Sequence, residues 1–406
     1  MIINCFKNKN VYKNIFQKDE NGREINLYKF PDSVFTGYNL FYPNCLLYSG
    51  RNLYLPVVEK TMSLNIKSKY ETQNMTFNFV KQHYKKRKGS YFFYIYNTDN
   101  YFHFLYDSIP YLISYIELKK EIPDIKLLMQ YPNAQKLTHC PFVYEMLDLL
   151  EIKHIDIEIV NQEFEYENIF VSTSYTHDFD SNLPPRKEIY PFYQNMAKKV
   201  QTALKMVTPK YIYISRRTHL HNNVENIGTN YTQRRKLVNE DELVEHLTKK
   251  GYVEVFTECL STLEKIAYFA NATHVIGCIG GGIANVLFSN PTTNLIAIIS
   301  PTFLDVNYRF KYSLNCVNVI YDTNTSHVDT SEFKLYMRVK HKTRNIVGEI
   351  IEVKDNSVVI QYTDGSNTGW NSTNVYETIE LDFKNIFKLD NGLNSKFKYN
   401  LNDLLS

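Results

Sequence analysis

The patterning of the chain predicts an α/β fold: two halves, each a parallel sheet covered by helices, facing each other across a cleft, followed by a small SH3-like β module. Three observations carry this reading. From Tyr91 onward short apolar strands alternate with helical segments, which implies parallel sheets with covered faces. The alternation is interrupted at Pro184-Pro185 and resumes at Tyr211, giving two halves of similar size. After about Ser331, strands of period two around a Lys354-Asp-Asn-Ser turn replace it. The boundaries that follow are an N-terminal β-rich extension over 1–70, a first α/β domain over 71–206, a second over 207–330 and the β module over 331–406.

Residues 1–70 alternate aromatic and polar positions, as in Phe35-Thr-Gly-Tyr-Asn-Leu-Phe-Tyr, and read as short strands edging the first domain. The basic run from Lys81 to Lys88 reads as a solvated loop. In the first half the expected elements are a strand from Tyr91 to Tyr96, a helix from Asn100 to Lys120, a strand from Ile125 to Gln130, a helix from Phe142 to Leu150, and strands from Ile155 to Val160 and Ile169 to Ser172. A helix from Tyr190 to Met206 connects the halves.

In the second half strands are expected at Tyr211 to Ser215, Val253 to Phe256, His274 to Cys278, Asn294 to Ile299 and Val317 to Tyr321. Helices are expected at Glu240 to Lys250, Thr262 to Ala270 and Ile283 to Phe288. Asn239-x-x-Glu242 and Ser261-x-x-Glu264 have the form of capping boxes at two of these helix starts.

Composition narrows the classes. The 406 residues are 44% hydrophobic and 22% charged, which is ordinary for a globular protein, and a net charge of +3 does not imply nucleic acid as a partner. The six cysteines are scattered, with no C-x-x-C pair, and read as reduced thiols rather than a zinc site or a disulfide framework. The N-terminus lacks the apolar core of a signal peptide and no stretch approaches the roughly 18 apolar residues of a membrane span, so a cytoplasmic location is the expectation, although a chain trimmed of an anchor would read the same. A homodimer is left open.

Three stretches can carry chemistry. From His274 to Ser289 a strand, three glycines and a helix form a unit suited to holding an anion. Its glycines can adopt positive φ and admit a ligand to the backbone, and the helix offers free N–H groups; a plain tight turn would use glycine too. In Asn100-Tyr-Phe-His-Phe-Leu-Tyr-Asp, His103 and Asp107 share a helix face, so that Asp107 can orient His103 as a general base; the competing reading is an N-cap followed by a satisfied His–Asp pair. Ser215-Arg216-Arg217 ends a strand with two guanidinium groups suited to a diphosphate, and Arg234-Arg235 either joins them or pairs with the acidic helix that follows.

The ordered set is Asn100-Tyr-Phe-His-x-x-x-Asp-x-x-Pro, Ile214-Ser-Arg, Arg234-Arg235 ahead of Asn239-Glu240, and Gly277-x-x-Gly-x-Gly-x-x-Asn-x-x-Phe-x-x-Pro291; over about Tyr91 to Tyr321 it resembles glycosyltransferase family 61. The resemblance implies a GT-B architecture of two Rossmann-like halves and an inverting transfer from a UDP-sugar to a glycan, polysaccharide or glycoprotein acceptor, without cofactor or metal. It implies His103 or Asp107 as the base, and Ser215, Arg216, Arg235, Gly280, Gly281, Gly282, Ile283 and Asn285 around the donor diphosphate. Asp178-Phe-Asp180 reads as a loop feature rather than a metal site. Ile279 and Ala297 stand where the family has a His and a Glu, which leaves the backbone to carry more of the binding and makes a catalytically weak, glycan-binding protein the alternative.

Overall fold

The computed structural model describes residues 11–35, 47–49, 52–54, 84–94, 100–129, 138–160, 164–176, 184–220, 236–301, 303, 309–327, 333, 338–343, 346–363, 377–388 and 397–401. It is a mixed α/β structure with two sheets containing parallel strands and a separate antiparallel sheet. Asp178, Asp180, Arg234 and Arg235 lie outside the described residues.

In the first sheet β1 (Val11–Phe16), β2 (Ile25–Phe35), β3 (Leu47–Ser49) and β4 (Asn52–Tyr54) form an antiparallel flank. They extend a parallel group of β5 (Lys85–Phe93), β6 (Lys126–Met129), β7 (Ile157–Ile159) and β8 (Phe164–Ser172), in the order β4-β3-β2-β8-β5-β6-β7 with β1 on β2. The helices of this half are α1 (Tyr101–His103), α2 (Tyr111–Glu121) and α3 (Pro141–Leu149), and α4 (Ile189–Ala203) leads to the second half.

There β9 (Tyr211–Ile214), α5 (Glu240–Lys249), β10 (Val253–Val255), α6 (Thr262–Asn271), β11 (His274–Cys278), β12 (Asn294–Ile298) and β13 (Asn318–Asp322) give an all-parallel sheet of order β10-β9-β11-β12-β13. A strand buried on both faces must be apolar throughout, and Val275 to Cys278 are all buried. One core of Phe92, Leu127, Phe104, Phe142, Phe269, Phe288, Ile214 and Val275 spans the space between the two sheets. The opposite face of the second sheet buries Tyr213, Ile276 and Ile298 under Leu243 and Leu247 of α5.

The chain then forms β14 (Thr325–His327) and an antiparallel five-stranded sheet of β15 (Arg338–His341), β16 (Val347–Val353), β17 (Ser357–Thr363), β18 (Glu377–Asp382) and β19 (Ile386–Lys388), with its own core around Val339, Ile350 and Ile360. Last comes β20 (Phe397–Tyr399), which pairs antiparallel with β14 and places Phe397 and Tyr399 on the second sheet.

Five local expectations are corrected. Lys85–Lys88 is not loop: it opens β5, its side chains exposed and its backbone in the ladder with β8, where Lys86 meets Glu165 at 2.9 Å. The strand expected from Ile155 starts at Ile157, after a 3₁₀ turn over His154–Asp156. The helix expected from Asn100 to Lys120 contains a π-helical turn, Phe104–Ser108, in which the Ile109 N–H bonds the Phe104 carbonyl at 2.9 Å. Pro110 has no N–H to continue the α ladder, and the wide turn takes up the extra residue just before it.

Ser261 and Glu264 form the capping box, but Asn239 does not. Its amide pairs instead with both backbone groups of Tyr399, at 2.9 and 3.0 Å. Finally, the segment Ile283–Phe288 is 3₁₀ rather than α. Asn285 sends both its backbone N–H (3.3 Å) and its side-chain Nδ2 (2.8 Å) to the Gly282 carbonyl, which closes a three-residue turn.

Glycine at 277 is a packing requirement. A Cβ there would lie 3.0 Å from Ile214 Cβ and 3.4 Å from the Ile214 carbonyl oxygen, in the middle of the sheet. Gly277→Ala is therefore expected to cost about 1–3 kcal/mol by overpacking, read as a lower denaturation midpoint with an unchanged m-value.

Candidate functional site

In the second sheet the chain runs outward from β9 to β10 and then returns to β11 on the other side of β9, so the strand order reverses between β9 and β11. In the parallel part of the first sheet it runs from β5 to β6 and β7 and returns to β8 on the other side of β5. Loops leaving the carboxyl ends at such a reversal part company and open a crevice, which is where open α/β sheets hold ligands. Ser215 and Arg216 leave β9, and Ile279 to Gly282 leave β11. Asn100 to Asp107 follow β5, and Thr173 to Thr176 follow β8.

At the first reversal, His103 Nδ1 lies 2.7 Å from Asp107 Oδ2, and Asp107 Oδ1 accepts from Thr176 Oγ1 at 3.3 Å. An ionised Asp107 only accepts, so Nδ1 carries the proton and Nε2 the lone pair. Asp107 is buried, whereas the His103 side chain is 37% exposed, which leaves its outer edge reachable. Asn100 caps α1, its Oδ1 accepting from the His103 N–H at 3.2 Å. The N-cap and the oriented His–Asp pair thus coexist.

At the second reversal the two arginines separate. Arg217 is committed to Glu254 and to Asp241 Oδ1 at 2.7 Å, whereas Arg216 Nη1 lies 3.4 Å from the Ile279 carbonyl, across the mouth between β9 and β11. The Arg216 backbone is fixed by its N–H to Glu240 Oε1 at 2.7 Å. Burial pushes the Glu240 carboxyl above its usual range, against the pull of the Arg216 N–H and the Tyr213 hydroxyl. Ser215 is buried; its N–H pairs with the Val255 carbonyl and its Oγ accepts from the Arg217 N–H, so it shapes the turn.

The glycine turn departs from expectation in conformation. Gly280, Gly281 and Gly282 all have negative φ, with Gly282 at −61°. What demands glycine is close approach: a Cβ at Gly282 would lie 3.0 Å from both Ile214 Cγ2 and Thr257 Oγ1. The N–H groups of Gly280, Gly281 and Gly282 pair with no acceptor among the described residues. Ile283 and Asn285 are buried, and Asn285 holds the turn to the other sheet by accepting from Tyr101 OH at 2.5 Å. Ile279 and Ala297 are buried in the core, so neither side chain faces the crevice.

The two reversals meet at α1. A Cβ on Gly281 would sit 3.9 Å from Tyr101 Cδ1 and 4.0 Å from the Phe102 N, so the turn that carries His103 lies directly against the glycines. The structure thereby gathers His103, Asp107, Ser215, Arg216, Gly280, Gly281, Gly282, Ile283 and Asn285 in one region. Sequence reasoning missed Tyr101, Thr176, Glu240 and Thr257. Tyr101, Thr176 and Glu240 act through partners 24 to 184 positions away, for which local spacing carries no signal. A cavity of about 420 Å³ bounded by Glu145, Asp148, Lys199, Ser261 and Leu263 includes none of these residues. Among the described residues no helix is long and apolar enough to cross a membrane, and no group of His, Cys, Asp and Glu is placed to hold a metal.

No curated protein matches the chain. The family model described as Glycosyltransferase 61 matches residues 101–296, from the first residue of α1 into β12, and so takes in both reversal points with the His–Asp pair and the glycine turn. Residues 101–296 are therefore a glycosyltransferase family 61 domain, which makes the protein a glycosyltransferase.

Proposed function

We propose that the protein transfers a sugar with inversion from a UDP-sugar to a hydroxyl of a glycan or polysaccharide, in a GT-B arrangement with the acceptor on the side of residues 71–206 and the donor on that of 207–330. One observation carries the reading: the two topological reversals face one another, with a partly exposed His103 oriented by buried Asp107 at one, and at the other an arginine beside backbone N–H groups that pair with no acceptor among the described residues. In this reading His103 Nε2 takes the proton of the acceptor hydroxyl while its oxygen forms the new bond to the anomeric carbon. The bond from that carbon to the diphosphate oxygen breaks, and its electron pair leaves with the diphosphate. Asp107 stabilises the imidazolium that forms. Arg216 and the N–H groups of Gly280 to Ile283 neutralise the leaving diphosphate without a metal ion, while Asn285 and Ser215 fix the two loops. The five-stranded sheet, with a 3₁₀ turn before its last strand, is read as the SH3-like module.

The test is nucleotide binding in the presence of EDTA. UDP at a hundredfold its Kd is expected to stabilise the fold by about 2.7 kcal/mol, seen as a rise in Tm. Gly282→Val is expected to abolish the rise, because the added carbons collide with Ile214 and Thr257. Absence of a shift with UDP and with every other nucleoside diphosphate would refute the proposal. Buried, apolar Ile279 and Ala297 favour the second reading, a glycan-binding protein of weak or no turnover. A kcat of about 1 s⁻¹ or more with any donor, in the ordinary range of enzymes, would exclude it.

A further inference from the structure

Of the lysines and arginines that are buried among the described residues, Arg23 and Arg186 are paired with carboxylates, but Lys265 is not. It is 2% exposed, and among the described residues its ammonium makes no hydrogen bond or ion pair; its close contact is the ring of Tyr101, 4.9 Å from Nζ to the centroid. Glu145 on α3, Glu258 after β10 and the Cys140 thiol act on it at longer range, and Glu145 Oε2 already accepts from the Thr262 N–H at 3.0 Å. Burial lowers its pKa to about 8. An ammonium so largely buried, with carboxylates acting on it only at longer range, is costly to a fold and can take an anionic ligand as its close partner.

Its position supplies one. Lys265 lies in the first turn of α6, which begins just beyond the carboxyl end of β10, on the same side of the sheet as Arg216 and the glycine turn. The Tyr101 ring stands between them: Lys265 covers its face, Gly281 approaches its Cδ1 edge, and its hydroxyl is tied to Asn285, which holds the Gly282 carbonyl. Among the described residues, the ammonium has no hydrogen-bond or ion-pair partner and the N–H groups of the turn have no acceptor; these are independent observations, and both suit an anion. We propose that Lys265 is a further binding residue of this site and supplies a positive charge to the diphosphate of a nucleoside diphosphate donor. The inference rests on the transferase reading given above.

The experiment titrates UDP and, separately, uridine into the wild type, Lys265→Met, Lys265→Arg and Arg216→Ala by calorimetry in EDTA. Lys265→Met is expected to weaken UDP about 10- to 30-fold while changing uridine less than about twofold, and Lys265→Arg to restore UDP to within about threefold. Because only the protonated amine attracts the diphosphate, wild-type affinity for UDP is expected to fall about tenfold between pH 7.5 and 9.5, and that of Lys265→Met to stay flat. The Tm of ligand-free Lys265→Met is expected to equal or exceed that of the wild type, since a buried charge is removed. Wild-type affinity for UDP in Lys265→Met, with affinity lost in Arg216→Ala, would overturn the role of Lys265 and leave the transferase reading intact. Equal losses for UDP and uridine with a lowered Tm would reduce Lys265 to packing. A wild type that binds neither UDP nor any other nucleoside diphosphate would overturn both.

Discussion

Arg216→Ala is expected to lower kcat/KM by about two to three orders of magnitude with the fold intact, because Arg216 places its guanidinium at the mouth between β9 and β11, 3.4 Å from the Ile279 carbonyl that leads into the glycine turn. Its backbone is anchored independently by Glu240, so removal of the side chain leaves the turn in place. The matching control is Arg217→Ala. That side chain is bound to Glu254, whose side chain is 17% exposed, and its loss is expected to cost stability by about 1–3 kcal/mol while turnover changes little. Transfer assays and denaturation of both variants separate the cases. Equal turnover in Arg216→Ala and wild type would remove Arg216 from the site.

His103→Ala is expected to reduce kcat by roughly 10² to 10⁴ without weakening UDP, since the imidazole serves the acceptor and not the donor. The pH profile gives a readout that misfolding would not reproduce. A base that must be unprotonated makes the rate fall toward acid, and His103→Ala should lose that limb. Asp107→Asn should approach the same defect, because an amide facing Nδ1 no longer fixes the tautomer or balances the imidazolium, while Thr176→Val should do less because its bond to Asp107 is long at 3.3 Å. An unchanged acid limb in His103→Ala would assign the base elsewhere.

The strand and helix alternation was legible because it records burial along one element at a time. Apolar Val275 to Cys278 announce a strand covered on both faces, and β11 was expected with its observed bounds. Ser261 and Glu264 are three residues apart and answer each other locally, so their capping box could be read directly. Asn239 carries the same local signal, but Tyr399, 160 positions away, competes for its amide and wins. Arg216 and Arg217 are indistinguishable as neighbours, and only Glu254 and Asp241 separate them. Lys265 carries no local signal of burial, because the Tyr101 ring that covers it arrives on α1 from the other half of the chain. The glycine run was visible in sequence, but the positive φ expected of it is absent: at Gly277 and Gly282 it is the packed side chain of Ile214 that leaves no room for a Cβ.

The pairing of β14 with β20 has a consequence for how the chain can change. His327 and Phe397 are register partners, so the points where the backbone leaves for the five-stranded sheet and returns from it lie about one strand spacing apart, near 5 Å. The described strands β15 to β19 are thus entered and left at two adjacent points, while Phe397, Tyr399 and Leu401 pack on the second α/β sheet. Such a side branch can be lengthened, exchanged or trimmed to a tight hairpin without moving the ends of the core that carries it.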